Sequence, residues 1–289
     1  MNTHIAVTPL RKEFMKVRVG IPALYIVLSG LALVQLLPLI WLLFFSLKSN
    51  QEVFNLPPFS LPTHPHWENY AKAWTDANIG RYFLNSVWIT AVSVMFTVLL
   101  ASFSAYAITR MKWRLNSLVL GLFMVGMMIP VHSTLIPLFN LFSNIGLKDH
   151  PLSVVLSYIA FNLPITLMIL LGAYQVLPRE VEEAAVMDGC TVPRMFFQII
   201  LPMTSSAIST TMIINMIYNW NEFIFVNTFI SSDNLKTLTV GVQNFVGQYT
   251  TDWGAIGATL MISILPILLI FFILSNRIME GMTAGAVKG

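Results

Sequence analysis

Long apolar blocks, each free or nearly free of charge, dominate the pattern along this chain. Six of them run roughly over residues 20–47, 83–109, 115–142, 152–177, 204–230 and 254–276. Each is near or above the ~20 residues that an α-helix needs to cross the hydrocarbon core. The pattern predicts an all-α integral membrane protein with six transmembrane helices. Pro38, Pro130, Pro137, Pro164 and Pro266 fall inside these blocks, which membrane helices tolerate when neighbours satisfy the freed backbone groups. The first block follows Arg11, Lys12, Lys16 and Arg18, yet its 28 charge-free residues exceed the ~7–15 of a signal-peptide core. It is expected to remain as the first span.

Charge orients the helices, because loops rich in Lys and Arg stay cytoplasmic. With the N-terminus inside, the basic residues divide 11 to 5 in favour of the cytoplasmic side. Both termini are therefore expected in the cytoplasm. The domain reading is a cytoplasmic segment over 1–19, a six-helix membrane domain over 20–276 with a cytoplasmic loop at 178–203, and a cytoplasmic tail over 277–289. The outer stretch from Lys48 to Arg81 carries Pro57, Pro58, Pro62 and Pro65. These suggest an extended crossing of the surface, followed by an interfacial helix over 67–78 bearing Trp67, Tyr70 and Trp74. No low-complexity tract or internal repeat stands out.

The loop at 178–203 predicts two short helices. Pro178 suits a first helical position, and Glu180, Glu182 and Glu183 lie near the positive end of the first helix dipole. Gly189 ends that helix, since glycine accepts the left-handed conformation without steric cost. Thr191 is expected to cap a second helix from Pro193 to Ile200, and Leu201-Pro202 marks the return to the membrane. Met195, Phe196, Ile199 and Ile200 recur at helical spacing outside the bilayer, so they are expected to bury against another protein. An amphipathic loop lying on the lipid surface is disfavoured, because its acidic first helix would be repelled by anionic headgroups. Cys190 is expected to be a small buried residue.

At these positions the loop resembles a known signature. Glu183-Ala184-Ala185, three residues, Gly189, nine residues, Ile199, one residue and Leu201-Pro202 are similar to the EAA motif of ATP-binding-cassette importer permeases. The resemblance implies a type I importer permease fold and a coupling loop seated in a cleft of a separate ATPase. Carried over residue by residue, the coupling set is Glu183, Ala184, Ala185, Asp188, Gly189, Phe196, Ile199, Leu201 and Pro202. Asn85-Ser86, Ile129-Pro130, Ile136-Pro137 and Trp220-Asn221-Glu222-Phe223 look like the carbohydrate-importer branch. The end, from Gly281 to Gly289, resembles the tail of maltose-permease G-type subunits, which implies docking to the ATPase through Gly281, Thr283, Gly285 and Lys288. The spacing of Gly281 and Gly285 lies past the last apolar block, so helix packing in lipid is not its reading.

The implied partners are a homologous permease subunit in a heterodimer, a cytoplasmic ABC ATPase dimer, an extracytoplasmic solute-binding protein, a sugar substrate and membrane lipid. The implied location is a bacterial cell membrane. No cofactor is expected on this chain, with ATP and Mg on the ATPase subunits. Indeed the dipeptide Gly-Lys of a phosphate-binding loop does not occur.

A polar stripe in the fifth block raises the question of a substrate path. Thr211, Asn215, Asn219 and Glu222 fall within about 80° on a helical wheel, and a carboxylate within a span usually faces a bundle interior or a water-filled cavity. The stripe could line a sugar passage, with Trp220 or Phe223 stacking on the substrate, or could bond neighbouring helices. His132, near Pro130, could line the path or serve the carbonyl freed by that proline. Glu222 is also the support for an alternative reading, an ion-gradient-driven secondary transporter or channel.

Composition removes other classes. Charged residues make up only 10% of the chain and hydrophobic residues 56%, against roughly 25% charged in soluble domains. The net charge of +3 is small and unclustered, so nucleic acid is not expected. One cysteine excludes an intramolecular disulfide and a cysteine-rich metal cluster, and no metal site is expected. The histidines at 4, 64, 66, 132 and 150 assemble no catalytic triad, so no enzyme is expected.

Overall fold

Helices account for the regular structure of the chain among the described residues. The computed structural model describes residues 10–75, 78–245 and 251–286, with side chains over 22–75, 78–243 and 251–273. The order is α1 (Leu10–Ser46), α2 (Asn50–Asn55), α3 (Glu68–Thr75), α4 (Ile79–Arg110), α5 (Asn116–Met127), a 3-10 turn (Val131–Thr134), α6 (Leu135–Asn144) and α7 (Pro151–Gln175). Then come α8 (Arg179–Met187), α9 (Val192–Met195), a π turn (Phe196–Ile200), α10 (Leu201–Met203), α11 (Ser205–Asn221), α12 (Ile224–Phe229), α13 (Leu238–Gly241) and α14 (Trp253–Ala286). The chain divides into two compact units, one of residues 1–70 and 252–261, the other of 71–251 and 262–289.

The first unit joins the end of α1 to the start of α14. Gly254 and Gly257 make the approach possible: a Cβ on Gly254 would lie 2.4 Å from Asn69 Nδ2, and one on Gly257 2.5 Å from Phe45 Cδ1. Asn69 is buried and donates to the carbonyls of Ser46 and Lys48 at 2.9 and 3.0 Å. It replaces partners that the end of α1 lacks. Ser49 and Glu52 form a capping box at α2. The proline-rich stretch beyond it is gathered by Lys48, whose buried ammonium donates to Pro57 O, Pro58 O and Ser60 Oγ. Trp67 is exposed and lies just before α3, which is shorter than the expected 67–78.

The second unit is built on α4 packed along α7. Small residues line the seam on α4, with Ser93, Thr97, Ala101, Ser102 and Ala105 fully buried. Small side chains let helix backbones come close, which is the packing that works in lipid. Two apolar clusters flank it. One gathers Tyr106, Leu170, Tyr174, Met195, Phe196 and Ile200, and the other Ile89, Val154, Tyr158, Phe225, Phe229 and Val240. Gly241 lets α13 lie on Tyr82, since a Cβ there would be 2.2 Å from Tyr82 Cδ2.

Spanning capacity, four to six helices, includes the expected number and departs from the expectation in shape. Four helices are long and apolar enough to cross a membrane, and two bent pairs raise the total to six if each is one span. The expected third span bends by 92° between residues 127 and 131. Pro130 cannot donate a backbone hydrogen bond, so the helix stops before it and restarts as a 3-10 turn. The expected fifth span is likewise interrupted: α11 ends at Asn221, and residues 224–229 form the separate α12. Residues 19/20 and 276/277, the expected domain boundaries, fall inside the continuous helices α1 and α14.

Candidate functional site

The loop between α7 and α11 begins as expected and then departs from the expected pair of helices. Pro178 is the cap before α8 rather than its first residue. Gly189 has φ +76° and turns the chain between α8 and α9, a conformation that glycine adopts freely. Its amide donates to Val186 O at 2.9 Å and the next amide, of Cys190, to Ala185 O at 2.9 Å. Such bonds satisfy carbonyls at the end of a helix. Cys190 is half-buried. Thr191 precedes α9 without a side-chain cap bond. The second helix is wound as α9, a π turn and α10, and it bends by 76° into α11.

The side chains of this loop face two ways, and the division corrects one expectation. Met195, Phe196 and Ile200 are 4%, 3% and 1% exposed, so they bury in the chain's own core rather than against another protein. Phe196 stacks on Phe103 at 4.9 Å and meets Tyr106 edge-on at 5.4 Å. Ile199 and Leu201 pack partly against the same cluster, and Ala185 is buried in it. The exposed set is different: Glu183, Ala184, Asp188 and Pro202 are joined by Val186, Met187, Val192 and Phe197. Met187 is 87% exposed. These residues form the free crown of the loop.

Behind the crown, Arg110 holds the loop to the two central helices. Its Nε lies 3.1 Å from Glu182 Oε1, and the two side chains are 6% and 16% exposed. Its Nη2 donates to Tyr174 O and, at 2.9 Å, to Leu177 O. Sequence reasoning missed this contact, since a basic residue at the end of an apolar block counts there only toward the orientation of the helices. Lys112 and Arg114 follow it and are exposed.

The polar stripe of α11 turns to α7 rung by rung. Tyr158 donates to Glu222 Oε2 at 2.9 Å, Asn162 to Asn219 Oδ1 at 2.7 Å, and Asn215 to Thr166 Oγ1 at 2.9 Å. Thr211 is fully buried and bonds its own helix at Ile208 O. Thr211, Asn215 and Asn219 thus do not line an open passage. Glu222 is half-buried and accepts from the amides of Phe225 and Val226, capping α12. Trp220 is 4% exposed, donates to Ser263 O and borders an apolar cavity with Val94, Met216 and Pro266. Sequence reasoning missed the α7 partners; the signal was there in Tyr158, Asn162 and Thr166, spaced four apart in an apolar block so that they share one helix face.

His132 stands on the 3-10 turn with an exposed residue surface. The carbonyl that Pro130 frees, that of Gly126 four residues earlier, accepts from the Ile129 amide at 3.3 Å, so the bonding task expected of His132 falls to the backbone. The expected tail contacts are described in backbone only. Gly281, Thr283 and Gly285 lie on the last turns of α14, their side chains outside the described residues, and Lys288 lies outside them altogether. Among the described residues no group of three or more His, Cys, Asp or Glu could hold a metal ion.

Residues 97–283 match the family model described as binding-protein-dependent transport system inner membrane component. The chain belongs to this family. The permease is 34% identical over 252 residues to the probable ABC transporter permease protein YurM of Bacillus subtilis, with 87% of this chain and 83% of that one covered. It is also 34% identical over 259 residues to the diacetylchitobiose uptake system permease protein NgcG of Streptomyces coelicolor, covering 89% and 85%. Among solved structures, a chain of a bacterial ABC transporter that imports the acidic polysaccharide alginate shares the fold. Its TM-score is 0.77 at 18% identity, with 95% of this chain and 99% of that one covered. The permease is a multi-pass membrane protein of a transport system.

Proposed function

We propose that this permease moves a sugar, of oligosaccharide class, across the bacterial cell membrane by alternating access, driven by a separate ATPase that docks on the α8–α9 crown. The observation that carries the reading is the two-sided loop. Glu183, Val186, Met187 and Phe197 are exposed, while Ala185, Met195, Phe196 and Ile200 anchor the same loop in the core. A rigid segment with an exposed apolar crown suits a partner surface. Its sugar assignment rests on the carbohydrate-branch motifs and on relatives such as the diacetylchitobiose permease.

In this reading the loop and both termini face the cytoplasm. ATP and Mg sit on the ATPase subunits, because the chain has no phosphate-binding loop. A homologous permease completes the membrane passage, and a solute-binding protein delivers the sugar on the other side. The secondary-transporter alternative loses its support, since the Glu222 carboxylate is engaged by Tyr158 and by the start of α12. Glu183→Lys and Gly189→Pro should leave membrane insertion intact and abolish ATP-dependent sugar uptake. Uptake at the parent level in either variant overturns the coupling assignment.

A further inference from the structure

Three side chains on one face of α4 reach the loop at successive turns. Phe103 stacks on Phe196, Tyr106 donates to Met195 Sδ at 3.4 Å, and Arg110 pairs with Glu182. Arg110 does more than pair. It ends α4, and its Nη2 binds two carbonyls at the end of α7, where a helix has unsatisfied acceptors and the negative end of its dipole. The rigid, planar fork of a guanidinium fixes both directions at once, whereas a lysine ammonium is a point charge on a flexible stem. Glu182 is the inward neighbour of the exposed Glu183, so the residue that faces a partner and the one that grips Arg110 are adjacent on α8.

We propose that Arg110 is a positioning residue for coupling: it locks α8 to the ends of α4 and α7, so that displacement of the crown moves these two helices as one body. The inference rests on the reading of the crown as the ATPase dock. Force applied at Glu183 and Met187 passes through Glu182 and the guanidinium to the ends of both helices. The aromatic contacts at Phe103 and Tyr106 hold α9 to the same face, which prevents the loop from hinging about the ion pair.

The test uses the permease purified with its ATPase and mate permease, in a Cys190→Ser background. Spin labels are placed at Leu84→Cys, exposed near the far end of α4, and at Met187→Cys on the crown. Distances are read without nucleotide and with Mg-ATP and vanadate. In the parent the label distance should stay constant. In Glu182→Gln and Arg110→Lys it should shift on nucleotide trapping by about 2 Å or more, the scale of helix displacements in switching proteins. A shift in the parent itself, or constancy in both variants, overturns the proposal. Glu182→Asp, which keeps the charge with a shorter reach, should give a smaller shift. If neither Glu182 variant assembles, the pair is a strut of the fold and the proposal fails. Copurification of the ATPase with Glu183→Lys reports on the dock separately: retention of the ATPase there sinks the docking reading whatever the labels show.

Discussion

Glu52 shows how a single side chain holds an irregular segment in place. The Thr63 hydroxyl, then the amide of Ser49, hold its carboxyl down to about 2 from an ordinary 4.5, against the opposing effect of burial. The carboxylate thus ties the start of α2 to residue 63, across the proline-rich stretch that the sequence suggested was extended. A carboxylate with a depressed pKa contributes stability that is full above the unfolded value and is lost as pH falls through the folded value. Protection of the 49–63 segment from protease should accordingly persist down to pH 4.5 and weaken as pH drops from there toward 2. Glu52→Gln should be cleaved faster at neutral pH and show no such dependence. An unchanged cleavage profile in that variant removes Glu52 from this role.

At the level of elements, α7 and α11 are joined by a ladder of polar rungs within an otherwise apolar pair. Each rung satisfies groups that lipid cannot, and such interhelical bonds are worth ~0.6 kcal/mol on average, reaching ~1.7 kcal/mol. A double-mutant cycle on Asn162→Leu and Asn219→Leu should therefore give a coupling of about 0.6–1.7 kcal/mol in thermal unfolding of the purified protein. Substrate preference should not change, because Asn219 is buried against α7. A changed preference without loss of stability would return Asn219 to the passage.

Much of this was legible beforehand, but unevenly. The six apolar blocks and the Gly189 turn followed from period and residue type, and the loop signature from its resemblance to a family motif. The direction of each polar face did not, because a stripe at helical spacing tells which residues share a face and not what lies opposite. The same ambiguity hid the burial of Met195 and Phe196: an apolar stripe in a loop needs a surface, and here α4 supplies it through Phe103 and Tyr106. The breaks at Pro130 and Glu222 were obscured for a related reason, since proline and a polar residue inside an apolar block are compatible with either a tolerated kink or a chain reversal.

For the whole molecule, the decisive feature is how much apolar surface the chain leaves uncovered. The window of α1 that is most apolar, within Pro22–Ser46, is only 6% buried. It must face lipid or another membrane helix, as an apolar surface of that length is not left in water. The Glu222 carboxylate, between α11 and α12, is occupied as a helix cap and a tyrosine acceptor. In the function proposed above the energy enters from outside the bilayer, at the exposed crown of Glu183, Val186 and Met187. Liposomes holding the purified chain alone should therefore take up none of the sugar that the complete system transports, under an imposed proton or sodium gradient. Addition of the mate permease, the ATPase and the binding protein, with ATP at the ATPase face, should be required for uptake of the transported sugar. Gradient-driven accumulation by the isolated chain would show that Glu222 does exchange its partners, and would replace the ATP-driven account with a secondary-transport one.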